Sequence, residues 1–182
     1  MNLYLRLLLL TLRIRLAAVR PGRRPTLWDE ARTPFRVLPT DLDTLMHVNN
    51  GRYLTLMDLG RYDLLSRSGF WKESARRGWY AVVAAQTITY KRSLTLGERF
   101  SLRTRVLGVD ERAVYIEQTF VRQGAVVARA VVQARFLRRE GGSVTPDEIL
   151  AATGGAPRDL TLPRWVHEWA DAVRISSSGG TR

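Results

Sequence analysis

Between Gly51 and Ser68 the apolar residues Tyr53, Leu54, Leu56, Met57, Leu59, Tyr62, Leu64 and Leu65 cover much of a helical circumference. A helix apolar on so many sides has to be enclosed by other elements. Gly60 in its middle costs about 1 kcal/mol relative to alanine, so it is expected where another backbone packs closely. Asp58 and Arg61, three apart, are spaced to pair on the helix surface; the other role open to Asp58 is a second carboxylate reaching a site. Phe70 and Trp71 continue into a short segment that ends near Gly78.

After Gly78 the period changes from helical to strand-like. Tyr80 to Tyr90 is rich in small and β-branched residues, as a buried strand is. Arg99 to Leu107 alternates, with Phe100, Leu102, Thr104 and Val106 on one side and Arg99, Ser101, Arg103 and Arg105 on the other. A turn is expected over Gly108 to Arg112, a strand over Ala113 to Arg122 and a tight reversal at Gly124. Val126, Ala128, Ala130, Val132, Ala134 and Phe136 then give a long final strand one apolar face. A first strand, Thr33 to Leu38, precedes the helix and ends at Pro39. One strand, one long helix and four antiparallel strands with short connections make an α+β architecture.

The flanks read differently. Residues 3–19 are leucine-rich but carry Arg6, Arg13 and Arg15. At about 100° per residue, Arg6, Arg13 and Arg20 share one stripe while Leu3, Leu7, Leu10 and Ile14 share another, which predicts an amphipathic helix. A membrane span needs about 20 largely uncharged residues, and the arginines also interrupt the core of a signal peptide. Two placements stay open: lying on a membrane, or covering apolar surface of its own domain or a partner. Pro21 to Pro25 breaks that helix. Thr145-Pro146-Asp147-Glu148 is a capping box, closed by Gly154. Leu162 to Arg174 predicts a last helix whose Trp165 and Trp169 are read as packing residues, and 176–182 is expected to be disordered. The organisation expected is a helix at 1–20, a linker at 21–32, a domain at 33–156 and a C-terminal helix and tail at 157–182.

With 182 residues, 45% hydrophobic, the chain has the length and composition of one globular domain. It has no cysteine, which removes disulfides, thiolate nucleophiles and cysteine metal sites. His47 and His167 lack zinc spacing, so no metal is expected, and no cofactor is implied. There is no Gly-x-Ser-x-Gly elbow, Walker loop or dinucleotide fingerprint, which leaves serine-hydrolase, ATPase and dehydrogenase chemistry without support. Lys and Arg number 29 against 17 Asp and Glu, a net +12 that suits an anionic partner such as lipid or the phosphates of coenzyme A. No nucleic-acid partner is expected, because no recognition signature accompanies the charge.

The candidate site lies just ahead of the enclosed helix, in Asp41-Leu-Asp43-Thr-Leu-Met-His47-Val-Asn49-Asn50-Gly51-Arg-Tyr53. Either asparagine serves as the helix cap. A helix start with unpaired N–H groups stabilises a developing oxyanion, and the backbone near Asn50 and Gly51 is placed to do so. Asp41 reads equally as a turn residue, and His47 as a structural histidine.

That pattern resembles the motif of the hotdog-fold thioesterases, Asp-x-Asp followed by His-x-Asn-Asn, a small residue and an aromatic. The resemblance extends to about Arg139 and is strongest to the branch called thioesterase superfamily member six. It implies a hotdog fold, an antiparallel sheet wrapped around one long central helix, here with the extra N-terminal helix. It implies a cytoplasmic acyl-CoA thioesterase of lipid metabolism, acting on fatty or aryl acyl-CoA or on an acyl-carrier-protein substrate. Asp43 is then the catalytic carboxylate, as nucleophile or general base, with His47, Asn50 and Gly51 around the reacting group. Asn49 and Tyr53 are expected at the substrate, and Arg92, Arg112 and Arg138 at the coenzyme phosphates. The chain departs from relatives at Leu45, where plant enzymes carry asparagine, and at Met46, where hydroxybenzoyl-CoA enzymes carry glycine. The resemblance also implies a homodimer or dimer of dimers, with which the long final strand is compatible. The alternative is a non-catalytic acyl-binding or membrane-associated protein, with peripheral membrane contact through residues 3–19.

Overall fold

The computed structural model describes residues 2–18, 23 and 25–175. Arg20, most of the Pro21–Pro25 break and the 176–182 tail lie outside the described residues. The elements run α1 (Asn2–Ala18), β1 (Ala31–Arg36), α2 (Asn50–Arg67), α3 (Phe70–Arg76), β2 (Trp79–Tyr90), β3 (Arg99–Val109), β4 (Val114–Arg122), β5 (Ala125–Arg138), α4 (Pro146–Thr153) and α5 (Arg164–Ala172). The five strands form one antiparallel sheet in the order β1-β3-β4-β5-β2. This is the α+β arrangement expected from the periodicity, with α2 held against the apolar face of the sheet and α1 lying against α2.

The alternation in β3 is realised: Phe100, Leu102, Thr104 and Val106 are buried. In β5 the residues Ala128, Ala130, Val132, Ala134 and Phe136 are buried and form part of the main core. Arg122 pairs with Ala125, and Gln123 and Gly124 both have positive φ, 49° and 79°. A two-residue turn of that kind matches the twist of the strands it joins. α2 buries Tyr53, Leu56, Met57, Leu59, Gly60, Asp63, Leu64 and Leu65. Its charged member Asp63 accepts a hydrogen bond from Thr33 Oγ1 at 2.6 Å and an ion-paired one from Arg67 Nε at 2.5 Å.

Several expectations change. A Cβ on Gly60 would come within 2.6 Å of Leu102, 2.8 Å of Thr104 and 2.9 Å of Gln118, so the glycine admits side chains of the sheet, not a backbone. Gln118 is fully buried there and donates to Met57 O at 2.9 Å. Asp58 is exposed and tied to Arg61, which puts it on the helix surface and away from the motif loop. Gly108 is not a turn residue. It sits inside β3 beside a register shift, where a Cβ would meet Leu162 Cβ at 2.8 Å. That contact belongs to a second, smaller core on the outer face of the sheet, where Ala113, Tyr115 and Val131 meet Leu162, Val166 and Ala170. Trp169 packs against it, whereas Trp165 is exposed.

The largest change concerns β2. It reads as a buried strand, yet it is an edge, and Tyr80, Val83 and Tyr90 are each at least 40% exposed. The long final strand β5 is interior, between β4 and β2, so it offers no edge to a second copy.

In α1, Leu10 is buried and Leu3, Leu7 and Ile14 pack against the main core, as their shared stripe implied. Thr11 Oγ1 and Tyr62 Oη, 3.2 Å apart, share a hydrogen bond between α1 and α2. Among the described residues, no helix is long and apolar enough to cross a membrane.

Candidate active site

The motif forms a small clasp in front of α2. Pro39–Asp41 make one turn of 3-10 helix. Asp41 is buried, and its Oδ2 accepts from the Leu38 N–H at 2.8 Å and from Arg6 Nη2 at 2.6 Å. Its carbonyl accepts from the Asn49 N–H at 2.9 Å. The clasp closes with Leu42 bridging Val48, and the Val48 N–H donates to Leu94 O at 2.9 Å. Asp41 is therefore the anchor of the loop, which settles its role as a turn residue.

Asp43 organises the tip. One carboxylate oxygen, Oδ1, accepts from the backbone N–H groups of Leu45 at 2.9 Å and His47 at 3.2 Å. The Asp43 N–H donates to His47 O at 2.8 Å. The second oxygen, Oδ2, takes no hydrogen bond among the described residues. The carboxylate is thus fixed in orientation by one oxygen and presented by the other. Met46, between these donors, has φ 60°. That left-handed geometry is where glycine is favoured, so the loop keeps the shape a glycine would give while carrying a side chain that is 59% exposed.

Asn49 is the cap, its Oδ1 accepting from the Gly51 N–H at 2.8 Å. This changes the expectation for Gly51, whose N–H is spent on the cap and is not open to a substrate oxygen. The Asn50 N–H, first in the helix, has no acceptor among the described residues and remains the donor at the helix start. His47 is exposed beside Thr95, which it bridges through the backbone.

Tyr53, expected at the substrate, is placed in the core. It is 2% exposed, with its ring edge-on to Tyr90 at 5.0 Å and to Phe120 at 4.9 Å. Burial pushes its phenol up to about 12, so it stays a neutral tether whose oxygen meets the Leu94 backbone. Arg138 is also committed elsewhere: Nη2 lies 2.6 and 2.7 Å from the Glu148 oxygens, tying β5 to α4. Trp79 pairs with Arg138 at one end of β2, and Arg92 follows the other end, roughly 36 Å away at about 3.3 Å per residue. The three arginines therefore do not converge in one protomer. Arg112 is exposed in the β3–β4 turn; Arg92 is exposed close to Leu94 and Thr95, which touch the motif loop.

Sequence reasoning missed Arg6, which the helical wheel assigned to a stripe apart from the leucines. Its signal was its spacing, three after Leu3 and four before Leu10, which turns it inward with them. Its side chain is 10% exposed.

The chain thus combines an antiparallel sheet packed on a central helix with a clasped aspartate ahead of that helix's start. The family described as the thioesterase-like superfamily matches residues 37–169. The chain belongs to that superfamily. Protein THEM6 of Xenopus laevis is 44% identical over 142 residues, which cover 78% of this chain and 66% of that protein. The long-chain acyl-CoA thioesterase FadM of Escherichia coli K12 is 28% identical over 102 residues, 55% of this chain and 77% of that one. Among solved structures, the probable thioesterase YbaW of Escherichia coli superposes with a TM-score of 0.62 at 22% identity, covering 67% of this chain and 97% of that one. The match to YbaW supports the hotdog fold, and the family match assigns the chain to the thioesterase-like group.

Proposed function

We propose that the protein hydrolyses acyl thioesters of coenzyme A or an acyl carrier protein, with the Asp43 carboxylate as the reacting group. The observation that carries this reading is the carboxylate held by one oxygen through the Leu45 and His47 N–H groups and presenting the other, in the loop that leads into a helix start whose Asn50 N–H has no acceptor among the described residues. The likeness to an acyl-CoA thioesterase from Escherichia coli supports the choice of thioester.

Two routes suit this arrangement. As a general base, Asp43 takes a proton from water as the oxygen adds to the thioester carbonyl; the C–S bond then breaks and the thiolate leaves and is protonated. As a nucleophile, Asp43 forms an acyl anhydride with loss of the thiolate, and water hydrolyses it. In both, negative charge grows on the carbonyl oxygen, where the Asn50 N–H and the helix start stabilise it. The working unit is a homodimer, paired along the exposed edge of β2, and Arg92 is the candidate for the coenzyme phosphates nearest the loop.

The test is thiol release from short, medium, long and aromatic acyl-CoAs by wild type and Asp43→Asn. Asparagine keeps an oxygen to accept the two loop N–H groups, so the clasp persists while the base and nucleophile are removed. A fall of about 10²-fold or more is expected. Undiminished turnover in the variant would exclude Asp43.

One observation favours the second reading, a non-catalytic acyl-binding protein. Leu45 and Met46, 73% and 59% exposed, put apolar side chains at the tip of the loop. Stoichiometric retention of an acyl-CoA by the folded wild type, with no product from any member of the panel, would establish it.

A further inference from the structure

α1 has two apolar faces, and the fold uses one. Leu3, Leu7, Leu10 and Ile14 pack on the domain. Tyr4, Leu5, Leu8, Leu9, Leu12 and Leu16 point outward and are 46–77% exposed. A contiguous apolar patch on that scale marks an interaction surface.

Beside it, between α1 and β1, lies a cleft of about 270 Å³. Leu9, Leu10 and Phe35 contribute its apolar lining, Arg6, Arg13 and Arg36 its charge, and no acidic residue lines it. Leu9 and Arg13 belong to both the outer face and the cleft, so the apolar surface runs into the basic one. Arg6 is turned toward Asp41 and the Arg36 carbonyl. Arg13 and Arg36 are exposed, and neither pairs with a carboxylate among the described residues.

We propose that α1 lies in the plane of an anionic lipid surface, its outer leucines in the acyl layer and Arg13 and Arg36 on the phosphate of a headgroup seated in the cleft. Charge selects this occupant over a second copy of the chain. The described helix contains arginines and no acidic residue, and the chain carries +12, so two copies meeting through this face repel each other, whereas an anionic bilayer complements both the apolar and the basic parts. An in-plane orientation follows from the inner face, because Leu10 is part of the core and leaving it would expose that core to water.

The experiment uses the full chain and vesicles of phosphatidylcholine alone or mixed with phosphatidylserine. Wild type is expected to co-sediment with the mixed vesicles at least tenfold better than with the neutral ones. Leu5→Ser/Leu8→Ser/Leu12→Ser should lower binding to both kinds by tenfold or more. Arg13→Gln/Arg36→Gln should remove most of the preference for the anionic vesicles, each basic residue near the surface being worth roughly fivefold. The absence of cysteine permits a second readout. An environment-sensitive label on Leu12→Cys should shift to the blue with anionic vesicles, while the same label on Glu140→Cys in the exposed β5–α4 turn should not. Wild type left in the supernatant, or a Leu12 label that does not respond, would overturn the proposal, as would a leucine variant that binds vesicles normally but loses self-association. Vesicle binding is read without substrate, and Asp43→Asn should bind like wild type, so this inference and the thioesterase reading fail separately.

Discussion

At the scale of single residues, the site turns on which backbone donor remains open. The Asn49 side chain takes the Gly51 N–H, and the Asn50 N–H is left at the first helical position. A backbone donor there can be deleted, because proline is favoured at that position, where its missing N–H breaks no helical bond. Asn49, at φ −58° and ψ 139°, already has the extended geometry that a following proline demands. Asn50→Pro should therefore fold normally, shown by an unchanged circular dichroism spectrum and melting temperature, and lower kcat for thiol release by about 10²-fold or more with little change in KM. An unchanged kcat would mean that the oxyanion is held elsewhere. The sequence made the Asp43–Tyr53 cluster legible as a group, since the motif letters lie within a few residues of one another. The resemblance already set Asp43 apart as the expected carboxylate and left Asp41 to the turn. What the letters did not carry is the physical difference between them, the burial of Asp41 beside Arg6. The partners of Tyr53 were not legible for a related reason: the aromatic that opens the helix faces inward, toward Tyr90 and Phe120, which are distant in the chain.

At the scale of elements, the Arg6–Asp41 ion pair joins α1 to the motif loop. Arg6 Nη2 lies 2.6 Å from Asp41 Oδ2, with side chains 10% and 4% exposed. A pair removed from water this far is strongly destabilised when one partner is deleted, because the other charge stays buried. Arg6→Ala should cost about 3 kcal/mol in urea unfolding, against less than about 0.5 kcal/mol for Arg13→Ala on the exposed side of the same helix. Equal effects of the two substitutions would show that the Arg6 pair contributes nothing to holding the helix in place. The elements themselves were legible because their periods are strong, from α2 through the four strands to the capping box of α4. What was not legible was the neighbour of each element. The inner core residues of β3 alternate in sequence whatever lies on them, but Gly108 could be read as a strand residue only once Leu162 was known to cross it. Tyr115 and Val131, facing the other way, acquire a core of their own because the segment leading into α5 folds back over the sheet.

At the scale of the whole molecule, the two edges of the sheet are built differently. β1 is six residues long, carries Pro34 and presents Arg32 and Arg36, all devices that discourage pairing with another strand. β2 is twelve residues long and contains no charged residue, proline or glycine between Trp79 and Tyr90. An edge of that length and composition is an aggregation hazard unless something covers it, and a second copy meeting it in a two-fold arrangement covers both edges at once. Such a pairing would give β2 the burial its composition implies, which the single chain leaves unmet. Tyr80→Lys/Val83→Lys places two charges on exposed positions of β2, so the protomer should keep its fold and its melting transition while the assembly is lost. In sedimentation velocity, wild type is expected at the mass of a dimer or of a dimer of dimers at micromolar concentration, and the variant at the mass of one chain. If the site is completed across β2, thiol release by the variant falls with the assembly, and wild-type activity per chain declines on dilution through the same range. A wild type that sediments as a single chain at micromolar concentration would rule out β2 as the dimer edge and return the full catalytic role to groups of one protomer, the Asp43 carboxylate and the Asn50 N–H.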